Sequence, residues 1–71
     1  MYPILHLQVK SEEGKVYNMS LLYKDICYIC ETDDGSEVCC IYLGKLVSFI
    51  STTSYEILIK KWTSYLLLKQ N

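Results

Sequence analysis

Between Asp25 and Ile50 the chain holds three runs of strand-forming residues, Ile26 to Thr32, Glu37 to Leu43 and Leu46 to Ile50, separated only by Asp33-Asp34-Gly35-Ser36 and Gly44-Lys45. Connections this short admit hairpins alone, because a parallel crossover takes about a dozen residues or more. The centre of the chain must therefore be an antiparallel meander. With Asp34-Gly35 as a two-residue turn, Thr32 pairs Glu37, Glu31 pairs Val38, Cys30 pairs Cys39 and Tyr28 pairs Ile41. A three-residue loop would set Glu31 against Glu37, a like-charge pair that sheets avoid. A type II′ turn at Gly44-Lys45 pairs Leu43 with Leu46 and Tyr42 with Val47.

The flanks complete the architecture. Over residues 4–20, Leu5, Leu7 and Val9 alternate with His6, Gln8 and Lys10, the period of a strand with one wet face. A three-residue loop at Glu12-Glu13-Gly14, with Gly14 left-handed, sets Val9 opposite Tyr17 and Leu7 opposite Met19, keeping the apolar side continuous. After the meander (25–50), Thr53 and Glu56 read as a capping box for a helix over 54–69. Its residues Tyr55, Leu58, Ile59, Trp62, Tyr65 and Leu66 form an apolar stripe at helical spacing. The expected fold is one α+β domain over 1–71: a small antiparallel β-meander of four to five strands with one C-terminal α-helix packed on one face.

That architecture leaves a face unaccounted for. In the expected registers one side of the meander carries Ile26, Tyr28, Cys30, Cys39, Ile41, Leu43, Leu46 and Ile50. The other carries Cys27, Ile29, Val38, Cys40, Tyr42, Val47 and Phe49. Both are apolar, and one helix covers one of them. Uncovered apolar area of this size marks association surfaces, so Cys27, Ile29, Val38, Cys40, Tyr42, Val47 and Phe49 are expected to form an interface. Ile57, Leu67 and Leu68 on the helix join them. The competing arrangement is the N-terminal hairpin folded over the second face as an orthogonal layer.

Composition narrows the function. Seventy-one residues lie near the size at which a single core is self-sufficient, and small domains often gain stability by oligomerising. The expected partner is a second copy, as a dimer, or another protein. Seven lysines, no arginine and a net charge of −1 disfavour nucleic acid. No run approaches the roughly 18 apolar residues of a membrane span, and Met1-Tyr2-Pro3 starts no export signal, so the expected place is the cytoplasm. All four cysteines fall within Cys27 to Cys40. Cys27 and Cys30 show the spacing of a zinc half-site, but strand residues three apart point to opposite faces and cannot share a tetrahedral ion. A Cys30–Cys39 disulfide fits the expected register, yet thiols stay reduced in the cytosol. Four small buried hydrophobes is the economical reading. His6, the only histidine, has no orienting partner in the sequence. No enzyme activity, metal or cofactor is expected.

The order of signals resembles a family of small bacterial and phage proteins, the FlbD-like proteins found with flagellar genes. The resemblance runs from Ile4 to Trp62: a hairpin with Gly14-Lys15 at its tip, the Ile26-x-x-Ile29 strand, an acidic glycine turn, Gly44-Lys45, and Ile50 leading to Thr53 and Glu56 at the helix start. The family's Asn-Pro pair and Pro-Asp-Thr turn are missing, and Thr63 to Asn71 is extra. The resemblance implies a small cytosolic non-enzyme that acts through protein contacts, and it carries no functional residue across. A weaker similarity, to the LytTR DNA-binding domain, lacks the basic loops that family needs.

Overall fold

The computed structural model describes residues 3–69, Lys69 through its backbone; Gln70 and Asn71 at the end of the extra tail lie outside it. Strands β1 (Ile4–Lys10) and β2 (Val16–Leu22) lead through a 3-10 turn (Tyr23–Asp25) to β3 (Ile26–Thr32), β4 (Gly35–Tyr42) and β5 (Lys45–Ser51), and helix α1 (Tyr55–Lys69) follows. The five strands form one antiparallel sheet in the order β2-β1-β5-β4-β3, so the α+β meander with one C-terminal helix is what forms.

The first hairpin adopts the expected register, with Val9 opposite Tyr17 and Leu7 opposite Met19. Gly14 takes φ 85° and its N–H donates to Ser11 O, which closes the loop. The two later hairpins are shifted. Thr32 pairs Gly35, so Asp33-Asp34 is the turn rather than Asp34-Gly35, and Cys30 faces Glu37 while Tyr28 faces Cys39. Gly35 is needed for a different reason, since a Cβ on it would lie 2.2 Å from the backbone oxygen of Ser51. Tyr42 pairs Lys45, so Leu43-Gly44 turns the chain, both with positive φ, and Ile41 faces Leu46. Each register moves a residue's partner by two positions, which leaves the side chains on the expected faces. The exceptions are Leu43, which enters the turn, and Ile26 to Tyr28. A bulge there turns Ile26 to the side of Cys40.

β1 and β5 meet only through Val9–Ser51 and Lys10–Ile50, at the ends of both strands. The first hairpin therefore leaves the meander at a corner and folds over it. Leu5, Leu7 and Val9 pack with Ile26, Ile29, Val38 and Leu58 in the core, and Met19, Leu21, Phe49, Tyr55 and Trp62 close around them. Two buried serines secure the corner. Ser51 Oγ donates to Gln8 O and accepts from Thr53 N–H, while Ser36 Oγ donates to Thr53 O at 2.9 Å.

The helix starts one residue later than the capping-box reading placed it. Ser54 Oγ accepts from Ile57 N–H (3.4 Å), and Thr53 Oγ1 is engaged instead by Gln8 N–H (3.3 Å). Leu58 is fully buried, and Tyr65 stacks on Tyr23 with ring centroids 4.9 Å apart. Leu66, Leu67 and Leu68 run on past the sheet and are exposed.

Candidate functional site: the uncovered side of the meander

Helix and first hairpin cover the same face. Ile29, Val38 and Cys40 are buried there and Phe49 packs against the core, so these expected interface residues are covered within the chain, while Val47 is half-buried. The miscount arose from treating the helix as the sole cover, when the apolar side of β1 and β2 supplies a second one. Tyr42 lies on that face too but extends beyond its covers and is exposed. Ile57, Leu67 and Leu68 are exposed on the helix.

The opposite side of β3, β4 and β5 is left open. Tyr28, Cys39 and Ser48 stand in one cross-strand row, Cys30, Glu37 and Ile50 in the next, and Ile41 and Leu46 in a third. Tyr28, Ile41 and Ile50 are each a little under half exposed, and Leu46 is 70% exposed. Tyr28 donates its phenolic hydrogen to Glu37 Oε2 at 3.2 Å. A hydrogen bond with Ser48 pulls the phenol pKa down, but the charge of Glu37 and the loss of hydration outweigh it and leave the group above its ordinary range.

The cysteines divide otherwise than expected. Cys39 and Cys40 are buried, whereas Cys27 and Cys30 are exposed, and all four are free thiols. The bulge sets Cys27 beside Tyr28 opposite Cys39, so it leaves the face assigned to it. Cys30 and Cys39 are not opposed, because the turn slipped by one residue. Loss of hydration pushes the Cys27 thiol up, and neighbouring Cys39 and Asp25 push it the same way. Burial does the same to Cys40, reinforced by Cys39, Asp25 and Cys27. Both shifts run opposite to the lowered pKa that activates a thiol nucleophile. His6 Nδ1 is hydrogen-bonded to Ser20 Oγ at 2.9 Å on the wet side of the first hairpin. Among the described residues, no group of three or more His, Cys, Asp or Glu could hold a metal ion.

The far end of β4 combines two features that the sequence did not signal. Leu43, at the tip of the β4–β5 hairpin, has φ 51° and is 84% exposed. Beside it, between β2 and the end of β4, lies a cleft of about 390 Å³ walled by Met19, Leu21, Leu22, Cys40, Tyr42 and Phe49. A second hollow, of about 560 Å³, runs between the helix end and the 3-10 turn, with Tyr23, Tyr65 and Leu68 in its wall.

No helix among the described residues is long and apolar enough to cross a membrane. No protein-family model, curated protein or solved structure matches the chain.

Proposed function

We propose that the protein is a non-enzymatic, cytoplasmic interaction or assembly module that associates with a second copy of itself through the open side of its meander, with the exposed helix end as a further contact surface. One observation carries the reading: the helix and the first hairpin lie over one face, and among the described residues Tyr28, Ile41, Leu46 and Ile50 stand exposed on the other. Contiguous apolar area on a soluble domain marks a contact surface, and a domain of 71 residues has much to gain from burying it. Four free thiols suit a reducing compartment. The FlbD-like pattern implies the same class of protein.

Light scattering across the micromolar range tests the proposal. The wild-type chain should have twice its 8.3 kDa mass, and Ile41→Ser with Leu46→Ser should return it to the monomer without unfolding it. A wild-type chain that stays monomeric throughout that range would sink the reading.

A further inference from the structure

We infer that the outer edge of β2 is a docking site for an extended segment of another protein, which adds a further strand antiparallel to β2 and sets its alternate apolar side chains over the cleft beside it. The site is separate from the open side of the meander and does not depend on self-association there.

The hydrogen bonds that bracket the first hairpin fix which way the main chain of β2 points. Ser11 N–H donates to Lys15 O at one end, and Tyr23 N–H donates to Pro3 O at the other. Residue pairs along an antiparallel ladder are alternately hydrogen-bonded and not, so in this register Tyr17, Met19 and Leu21 aim their N–H and C=O groups at β1. Val16, Asn18, Ser20 and Leu22 aim theirs outward. Gln8, opposite Asn18, obeys the same alternation: its N–H donates to Thr53 Oγ1 and its carbonyl accepts from Thr52 N–H, both away from β2. β2 is the edge of the sheet and β1 is its one neighbour, so among the described residues the four outward positions have no ladder partner.

Proteins blunt such edges with lysine, proline or a bulge. The other edge strand is treated in that way, since β3 has a bulge between Ile26 and Tyr28 and carries Glu31. β2 has no charge, no proline and no break in register along its seven residues. The cleft of about 390 Å³ beside it supplies the second half of the site, with Cys40, Tyr42 and Phe49 as its far wall. Met19 and Leu21 pack toward the core, so residues opposite them on an added strand would point the same way, over Tyr42, which is still 62% exposed on the covered side of the meander. Residues opposite Asn18 and Ser20 would face water. Asp25, the one charged residue in the cleft wall, lies past the Leu22 end, where an antiparallel strand has its N-terminus. The partner segment is therefore a basic residue followed by alternating polar and apolar ones, held by main-chain bonds and selected by the cleft.

The test titrates the full chain with a blocked peptide of lysine followed by three Thr-Val repeats and follows the amide NMR signals. The Asn18 and Ser20 amides should move downfield and gain exchange protection on binding. N-methylation of two threonines, whose N–H groups face β2, should weaken binding at least about tenfold by removing main-chain bonds. N-methylation of two valines, whose N–H groups face away, should change it by less than about twofold. No shift of either amide at about 1 mM peptide would overturn the inference. Equal losses from the two methylation patterns would overturn it as well, since the cleft would then take side chains without strand pairing. So would the same shifts on raising the chain concentration without peptide, which would assign the edge to a second copy.

Discussion

Gly35→Ala should be far more damaging than the same change at the other two glycines, for a reason unrelated to turn geometry. The added Cβ would sit 2.2 Å from Ser51 O, and real Cβ atoms essentially never come within 3.0 Å of another heavy atom. The β4 and β5 backbones must therefore part by about 0.8 Å where Ser36 pairs Ser51. Three hydrogen bonds depend on that spot: Ser36 to Thr53 O, Ser51 to Gln8 O, and Thr53 N–H to Ser51. Losing two at about 1 kcal/mol each, with about 1–3 kcal/mol of overpacking strain, gives a cost of roughly 3–5 kcal/mol. A domain of this length has roughly 4–10 kcal/mol in all. Gly14 and Gly44 have positive φ but open space around them, so Ala there costs only the left-handed backbone, about 1–2 kcal/mol. Urea unfolding followed by the fluorescence of Trp62, the single tryptophan, resolves the difference. At about 1 kcal/mol per molar urea, Gly35→Ala should lower the midpoint by roughly 3–5 M or unfold the chain, against roughly 1–2 M for Gly14→Ala. Equal midpoints for the two variants would refute the close-approach argument.

Leu58→Ala removes the fully buried contact of the helix and should cost about 2–5 kcal/mol through the cavity it leaves, read as a lower midpoint in the same assay. Leu68 is 74% exposed, so Leu68→Ser should change monomer stability by less than about 0.5 kcal/mol; global unfolding would mean that the helix end is packed. Cys27, Cys40, Tyr23 and Tyr28 all hold their protons more tightly in the fold than their ordinary pKa values of 9.0 for thiol and 10.0 for phenol. Below about pH 8 these groups are neutral in both states and stability should be level; above it the thiols and then the phenols of the unfolded chain ionise first, so stability should fall as pH rises. Melting temperatures from pH 7 to 10.5 check this, and a rise above pH 8 would contradict it.

The first hairpin was legible to the residue because one glycine had one job there: Gly14 sits at positive φ in open space. The later turns misled for the opposite reason. Asp34-Gly35 looked like a turn pair, but Gly35 is required for its closeness to Ser51, a contact between segments sixteen residues apart that no local pattern contains. At the next turn the left-handed position falls to Leu43, a residue local preference would never place there. Thr53 was a sound local choice of cap, yet Gln8 takes its hydroxyl and Ser54 caps instead. The alternation of β3 was readable except at Cys27, where the bulge reassigns one side chain. The division of the meander into two apolar faces survived these slips, because both register errors were by two. Which face stays open depended on where the first hairpin folds, and that is decided at the corner.

Ser36 and Ser51 offer a physical account of that decision. Both project to the same side as Val38 and Phe49, and from there Ser51 holds Gln8 of the first hairpin while Ser36 holds Thr53 at the root of the helix. The two covers are thus anchored by neighbouring hydroxyls on one face, and the other face remains open by default. Either hydroxyl lost singly removes part-buried hydrogen bonds worth about 1 kcal/mol each. Ser36→Ala with Ser51→Ala should do more than add those costs. With both anchors gone, the hairpin should loosen from the meander, and the Thr52 amide, which donates to Gln8 O across that junction, should lose hydrogen-exchange protection before the amides of β3 and β4. If all five strands of the double variant lose protection together, the serines stabilise the fold as a whole and do not select the covered face.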